Sequence, residues 1–328
     1  TITKLASIPL NISQTNSSDW FCTGTPIEMA ATPITGANYE WRINGTLVAN
    51  STQSTYTSGV AGPSLITDGD IVSVIVTTLA SCTITATKTF NENAITTVGT
   101  LTTATPTMCS GLTASTIVGQ ASVASGTISG YEWWQSPTGL PGTFTNLTRT
   151  GTVSYDPGIL TSTTFFKRVT LSSAGGIVCD AETPSLRILI TPLPVTVLRG
   201  SATSTATIVG SGTLTICDGE NAIFTATNGA QYEFFVNGTS IQASSTSNTY
   251  SSTTLDTGDY VSARAYNIAG CFSATDSITI TKLASIPLNI SQTNSSNWFC
   301  TGTPIEMEAT AITGANYEWR INGTLVAN

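Results

Sequence analysis

The sequence predicts an all-β protein made of β-sandwich domains arranged in tandem. Three observations favour this fold class: short segments in which apolar and polar residues alternate, Asn-Gly turns beside such segments, and a long internal repeat. Thr, Ser, Gly and Asn are abundant, and these residues favour strands and turns while giving helices little support.

The clearest strand is the segment 38–43, in which Tyr39, Trp41 and Ile43 lie on one face. Asn44-Gly45 follows at once and supplies the two residues with positive φ that a tight hairpin requires. Four further segments alternate in the same way and are predicted strands: 70–76, 83–87, 258–263 and 277–281. The inward-facing positions predict a set of buried aromatic side chains, namely Tyr39, Trp41, Tyr131, Tyr232, Phe234 and one of Trp133 and Trp134.

The charge balance excludes several classes of protein. Only 9% of the residues are charged and the net charge is −8, so no basic stripe is available for nucleic acid or an anionic membrane surface. No run of about 20 apolar residues is present, which predicts that this segment does not insert into a membrane.

The absence of histidine excludes Ser-His-Asp and Cys-His catalysis and histidine-ligated metal sites.

The strongest signal is the internal repeat. Residues 1–50 return at 279–328 with an offset of 278, and 47 of the 50 aligned positions are identical. A half-length copy of this kind would leave an open sheet, so we expect the natural molecule to continue past Asn328. Near-copies also argue against one unique catalytic cleft, and the sequence predicts neither an enzyme nor a bound cofactor.

A shorter repeat divides the chain into domains. Three aromatic strands align at 39–42, 131–134 and 232–235, and each lies between an early and a late cysteine. The spacing of these features is typical of sandwich domains. It predicts domains at 1–91, 92–193 and 194–280, followed by a partial domain at 281–328. Because the connections between them are short, we expect a stiff, extended rod with roughly 35–40 Å per domain.

The cysteines predict disulfides inside each domain. We call the early cysteine of each domain leading and the late one trailing, which gives the predicted pairs Cys22–Cys82, Cys109–Cys179 and Cys217–Cys271, with Cys300 unpaired. Each bridge would act as a staple at one end of its domain, contributing roughly 4 kcal/mol in a chain-entropy estimate. Disulfides also predict an oxidising, extracellular compartment.

Some residues are candidates for ligand contacts or modification. Trp133 and Trp134 are adjacent on one strand, so only one of them can face the core, and the other is a candidate sugar platform. Trp20, beside Cys22, is a candidate for either a ligand contact or a contact between domains. The acidic turns 67–70 and 217–220 offer too few carboxylates for calcium, and ordinary turn chemistry explains them better.

The order of motifs resembles a known family. A leading cysteine, Tyr39-Glu40-Trp41, Asn44-Gly45-Thr46, a Gly-Asp turn before an apolar strand and a trailing cysteine are similar to the immunoglobulin/PKD-like repeats of giant Bacteroidota surface proteins. The second domain is closer still, through 131–136 and 165–169. The resemblance implies immunoglobulin-like sandwiches, a cell-surface location, type IX secretion and kinship with SprB-like gliding adhesins. Ser277 lies in a triplet that resembles the acidic O-glycosylation motif of Bacteroidota.

Two functions remain open at this point. One is adhesion, in which the chain is a stalk segment that presents or forms a fibre binding a surface polysaccharide or another cell-surface ligand. The other is a structural extracellular filament or matrix protein whose domains bind mainly each other. A third reading, a sugar-binding array attached to a secreted enzyme, requires a catalytic domain elsewhere.

Overall fold

The computed structural model describes residues 9–15, 18–59, 61–203, 205–293 and 298–327. The chain forms two compact units, Thr1–Pro192 and Leu193–Asn328. Within the described residues the regular structure is β-strand apart from one short 3-10 helix at Gly62–Ser64. In this part of the chain no helix is long and apolar enough to cross a membrane. The predicted all-β class is confirmed.

The first sandwich opens the first unit. Its strands are β1 Ile12–Gln14, β2 Trp20–Cys22, β3 Glu28–Ala31, β4 Asn38–Ile43, β5 Thr46–Ser51, β6 Thr55–Thr57, β7 Ile71–Thr77, β8 Thr83–Thr89 and β9 Asn91–Asn93. One sheet has the order β1-β3-β6 and the other β5-β4-β7-β8, while β2 pairs in parallel with β9. This is an immunoglobulin-like arrangement of two sheets. The inward-facing residues, among them Met29, Trp41 and Val74, form one buried core.

The second sandwich completes the first unit. Its strands are β10 Ile95–Thr97, β11 Leu101–Thr102, β12 Thr107–Cys109, β13 Leu112–Thr113, β14 Val118–Gly119, β15 Val123–Ala124, β16 Thr127–Ser136, β17 Thr145–Thr150, β18 Ile159–Leu160, β19 Thr164–Ala174, β20 Ile177–Glu182 and β21 Leu186–Thr191. The main sheet has the order β12-β21-β19-β16-β17, and β20 extends β19 as a hairpin. Trp133, Phe166 and Ile188 lie in its core.

The third sandwich belongs to the second unit. Its strands are β22 Leu198–Ala202, β23 Thr205–Val209, β24 Gly212–Ile216, β25 Ala222–Ala226, β26 Gln231–Val236, β27 Thr239–Ser245, β28 Thr249–Ser252, β29 Tyr260–Tyr266, β30 Phe272–Ala274 and β31 Ile278–Lys282. The sheets have the orders β23-β22-β25-β28 and β24-β31-β29-β26-β27, and β24 runs parallel to β31.

A half-sandwich follows in the second unit. It consists of β32 Ile290–Gln292, β33 Met307–Ala309, β34 Trp319–Ile321 and β35 Thr324–Ala327, which form two separate two-stranded ladders. Its apolar side chains are largely exposed, in contrast to the same residues in the first sandwich.

The predicted strand registers are confirmed. Along β4 buried and half-buried residues alternate, with Tyr39 and Trp41 pointing into the core. The other aromatic residues predicted to be buried, Tyr131, Tyr232 and Phe234, are also in the interior, and Trp133 rather than Trp134 is the inward member of its pair.

The Asn-Gly hairpins and the Gly-Asp turns hold each other in place. Asn44 has a φ of 49° and Gly45 a φ of 81°, as a tight hairpin requires. The Asn44 side chain donates to Asp70 at 2.7 Å and accepts from the Ile71 N–H at 3.0 Å. Burial raises the pKa of Asp70, but hydrogen bonds from Thr67 and Asn44 outweigh it and lower that pKa. Turn chemistry therefore accounts for this acidic segment.

The disulfide pairs predicted from the sequence are wrong. Cys82 and Cys217 are exposed free thiols, and Cys22 is bonded to Cys179. The predicted Cys22–Cys82, Cys109–Cys179 and Cys217–Cys271 bridges are therefore all absent, although Cys109 and Cys271 are also disulfide-bonded cysteines.

The geometry of the last strand explains this correction. Cys22 lies opposite Asn93, at the far end of the first sandwich, whereas Cys82 lies at the head of β8. At about 3.3 Å per residue, the 11 steps from Cys82 to Asn93 place the two cysteines about 35 Å apart along the strand direction. Disulfide-bonded residues need Cα atoms within about 7 Å, so a leading and a trailing cysteine of one sandwich cannot meet.

Candidate functional site at the junction of two sandwiches

The junction between the first and second sandwiches is the most elaborate site in the first unit. It is formed by β2 and β9 of the first sandwich and by the β19–β20 hairpin of the second. Because β9 is followed directly by β10, the covalent connection between the two sandwiches is very short. The site therefore joins two domains at a point where the chain itself leaves little room for bending.

A disulfide bridges the junction. The Cα atoms of Cys22 and Cys179 are 5.4 Å apart, and the two residues are separated by 157 positions in the sequence. Cys179 is buried within β20, next to the tip of its hairpin. A loop of this length corresponds to about 5 kcal/mol in the chain-entropy estimate, which makes the bridge a major constraint on both sandwiches.

The hairpin tip packs directly on an aromatic residue of the first sandwich. Ser18 donates its hydroxyl proton to the Gly175 carbonyl oxygen at 2.9 Å and accepts from the Trp20 N–H at 3.0 Å. A Cβ atom on Gly175 would lie 1.8 Å from the Trp20 ring, whereas one on Gly176 would meet nothing within 4 Å. Only glycine at position 175 allows this contact, so Trp20 makes the interdomain contact considered for it in the sequence.

A buried pair of polar side chains closes the junction on the inside. Asn93 and Ser172 are almost fully buried. The Asn93 amide donates to the Ser172 carbonyl oxygen at 2.9 Å, and the Ser172 hydroxyl donates to the Asn93 side-chain oxygen at 2.7 Å. Buried polar groups stabilise a structure only when they are paired, so this reciprocal pair fixes one relative placement of β9 and β19.

The same strand, β19, carries a fully buried arginine, Arg168. Its guanidinium donates to three carbonyl oxygens, those of Val153 at 2.9 Å, Val98 at 2.5 Å and Gln120 at 2.7 Å. The guanidinium carbon also lies 4.6 Å from the centre of the Tyr131 ring. These contacts tie three loop segments of the second sandwich to its central sheet.

The environment of Arg168 is tight and closed to solvent. Burial lowers the pKa of the Arg168 guanidinium from its ordinary value, since desolvation disfavours the charged form. A Cβ atom on Gly119 would lie 2.3 Å from the Arg168 Nη1 atom, and one on Gly99 would lie 2.4 Å from the Gln120 carbonyl oxygen. These two glycines therefore allow the loops to close around the guanidinium.

The two adjacent tryptophans considered as sugar platforms lie in different surroundings, and a ligand role for Trp134 stays a prediction. Trp133 is fully buried and stacks on Tyr155 at 5.3 Å, so it is the inward member of the pair and Trp134 is the remaining candidate. Trp134 is half-buried beneath Lys167, whose Nζ atom lies 5.8 Å from the Trp134 ring. Ser277 is exposed just before β31, and its modification stays a prediction.

Sequence reasoning missed both the interdomain bridge and the buried arginine. The cysteine spacing alone does not say which end of a sandwich each thiol occupies. Arg168 did carry a signal, because it lies two residues after Phe166 and therefore on the inward face of the same strand. An arginine at an inward position predicts a buried charge that needs several acceptors.

The two hairpin glycines provide a test of the junction. Both have positive φ, so alanine strains the backbone at either position, but only Gly175→Ala also drives a Cβ atom into Trp20. We expect Gly175→Ala to lower the free energy of opening the junction by more than about 1.4 kcal/mol relative to Gly176→Ala. Because the open form is then roughly tenfold more populated, dithiothreitol should reduce Cys22–Cys179 roughly tenfold faster. Adding Trp20→Ala should abolish the difference. Equal reduction rates for both glycine variants would show that the hairpin tip is not seated on Trp20.

Comparisons with known proteins give the following similarities. A family profile described as "Domain of unknown function (DUF8696)" matches residues 97–192, which correspond to the second sandwich. No curated protein sequence matches this chain. The fold resembles the fibronectin(III)-like modules of Clostridium thermocellum CbhA, with 17% identity over 56% of this chain and 95% of that one and a TM-score of 0.28.

Two further solved structures are similar to this chain. One is an I-band fragment of titin, with 11% identity over 85% of this chain and all of that one (100%), and a TM-score of 0.35. The other is the Bacteroides ovatus protein SGBP-B in complex with a mixed-linkage heptasaccharide. It has 10% identity over 92% of this chain and 77% of that one, with a TM-score of 0.21.

Proposed function

We propose that this chain is a non-catalytic stalk segment of a secreted, repetitive cell-surface adhesin, and that resisting tension is its task. The observation that carries the proposal is the disulfide between Cys22 and Cys179, which joins two consecutive sandwiches. A bridge inside one sandwich would stabilise only that sandwich. A bridge across a junction keeps two neighbours in register even when one of them loses its fold.

The rest of the junction supports the same function. The Gly175–Trp20 contact and the buried Asn93–Ser172 pair each fix one arrangement of the two sandwiches. A fibre that tethers a cell needs connections that do not bend or rotate freely under load. The 278-residue repeat supports this proposal further, because repetition of one module adds length without adding a new kind of site.

The cellular setting follows from the cysteines and from the sequence resemblance. Disulfide-bonded cysteines support an extracellular location. Export by the type IX route and a place in a Bacteroidota gliding or attachment adhesin are proposed on the resemblance of the repeats. The partner proposed on this basis is a surface polysaccharide or another cell-surface ligand, bound by the fibre to which this segment belongs.

Stretching single molecules from both ends tests the proposal. With disulfides intact, the residues between Cys22 and Cys179 are bypassed by the bridge and stay shielded from tension. Reduction should therefore lengthen the fully stretched chain by about 550 Å, at about 3.5 Å for each of the 157 positions. Equal lengths with and without reductant would rule out a stapled stalk, and turnover of a substrate by this chain would rule out a passive one.

A further inference from the structure

The long repeat places one sequence in two different surroundings. In the first sandwich its apolar residues are buried, but in the half-sandwich the same residues are exposed. The exposed fractions are 5% for Ile12 against 64% for Ile290, 3% for Phe21 against 63% for Phe299, 0% for Met29 against 47% for Met307, and 4% for Ile43 against 55% for Ile321. Because the local sequences are nearly identical, the difference comes from what covers them.

The structure shows what covers these residues in the first sandwich. β7 pairs with β4 and places Val74 opposite Trp41, and β6 pairs with β3 and places Tyr56 opposite Met29. Tyr56 also stacks on Trp41 at 5.8 Å. The covering strands β6, β7 and β8 all lie within residues 51–91. The surface of the half-sandwich is therefore complementary to a segment with that sequence.

Cys217 lies beside the strand that leads into the half-sandwich, and its backbone has the conformation of a bonded cysteine. Cys217 directly follows Ile216, the last residue of β24. Ile216 pairs with Lys282, the last residue of β31, and the chain continues from there into the half-sandwich. The backbone of Cys217 forms a tight turn in which the Glu220 N–H donates to the Cys217 carbonyl oxygen at 3.1 Å. Cys22 begins the same turn, with the Thr25 N–H donating to its carbonyl oxygen at 3.1 Å, and Cys22 is bonded to the following sandwich.

The other free thiol has a bonded counterpart as well. Cys82 closes a hairpin in which its carbonyl oxygen accepts from the Thr78 N–H at 3.0 Å and its own N–H donates to the Thr78 hydroxyl. Cys271 closes the same hairpin in the third sandwich, with Asn267 in the position of Thr78. Cys271 is disulfide-bonded, whereas Cys82 is not. Cys82 and Cys217 are thus the trailing and leading halves of a bridge without their partners.

We propose that the half-sandwich is an acceptor for a second copy of residues 51–91, and that the Cys82 of this second copy then bonds to Cys217. The bridge would join the third sandwich to the completed one, as Cys22–Cys179 joins the first to the second. This inference concerns residues 217–327 and does not depend on the stalk function, because it would hold equally for a filament.

Bond formation requires an oxidant, which is a low-molecular-weight disulfide such as glutathione disulfide. The Cys217 thiolate attacks glutathione disulfide and releases one glutathione. The thiolate of the second Cys82 attacks the resulting mixed disulfide and releases another. Two thiols lose two protons and two electrons, and glutathione disulfide is reduced to two molecules of glutathione.

The test uses the full chain extended after Asn328 by a second copy of residues 51–91, with Cys82→Ser at the original position. This extended chain carries three unbonded thiols: Cys217, Cys300 and the added cysteine. In a glutathione redox buffer we expect two of the three to be lost, and peptide mapping to link Cys217 to the added cysteine. Trp319 should become buried at the same time, with a blue-shifted fluorescence relative to the unextended chain.

The matched control carries aspartate in place of the added copy of Val74. This variant should leave Trp319 half-buried, as in the unextended chain, and all three thiols free. A bond to Cys300 instead of Cys217 would show that the bridge stays inside one sandwich and would overturn the proposal. A Cys217 bond in the aspartate variant, or a buried Trp319 with Cys217 still free, would overturn it as well. None of these outcomes bears on the stretching of Cys22–Cys179.

Discussion

Replacing Arg168 by leucine is expected to destabilise the second sandwich by about 3–5 kcal/mol. The guanidinium is the hydrogen-bond donor for the carbonyl oxygens of Val98, Val153 and Gln120. Leucine fills part of the space but leaves these acceptors buried without a donor, and each unpaired group costs about 1–3 kcal/mol. Arg168→Lys should recover only part of the loss, since one ammonium cannot reach three acceptors in the geometry of the planar fork.

Hydrogen exchange of peptides from β16 and β19 measures this effect within the intact chain. Lys167→Ala is the matched control, because Lys167 is the preceding residue and points to the other face of β19, where it pairs with the exposed carboxylate of Glu182 and lies over the Phe144 ring. That change removes a partly exposed ion pair and one ring contact and should cost about 1 kcal/mol, well below the loss at Arg168. If Arg168→Leu were as mild as Lys167→Ala, the buried guanidinium would not be holding the loops.

Replacing Trp41 by alanine is expected to cost the first sandwich about 3–5 kcal/mol. Trp41 is fully buried, stacks on Tyr56, and lies opposite Val74 in the central pair of strands, so alanine leaves a large cavity. The repeat supplies a control with nearly the same local sequence, since Trp319 occupies the equivalent position in the half-sandwich. Trp319 is only half-buried, and Trp319→Ala should cost less than about 1 kcal/mol.

Exchange rates of β4 and β7 peptides report the first change, and those of β34 peptides report the second. Because the local sequences match, any difference between the two variants comes from the strands that cover Trp41. Similar losses at both positions would mean that the aromatic residue acts through its own hairpin and not through the core.

The sequence was sufficient for the parts of the fold that depend on local alternation. Tyr39 and Trp41 were assigned to an inward face because a strand turns successive side chains to opposite faces, and both are buried. The Asn44-Gly45 turn followed from the same reasoning, since few residues other than Asn and Gly adopt positive φ readily. Such features are determined by neighbours in the chain.

The cysteine pairs could not be obtained in the same way. Spacing groups a leading and a trailing cysteine with each aromatic strand, but Cys22 lies at the end of the sandwich where the last strand finishes and Cys82 at the end where that strand begins. The partner of Cys22 is the cysteine that the neighbouring sandwich brings within bonding distance. The placement of that sandwich depends on contacts such as that of Gly175 with Trp20. Long-range packing, not local pattern, sets the pairing.

The Cys22–Cys179 bridge also changes what a protease can do to this chain. A cut at any one peptide bond between these two residues leaves both fragments covalently joined, because the sulfur atoms still connect them. The short connection between the two sandwiches and the loops of the second sandwich before β20 lie inside this interval. A nick there would pass unnoticed on a non-reducing gel and would not shed whatever the chain carries. Detachment needs a cut outside the bridged interval, a second cut, or a reductant.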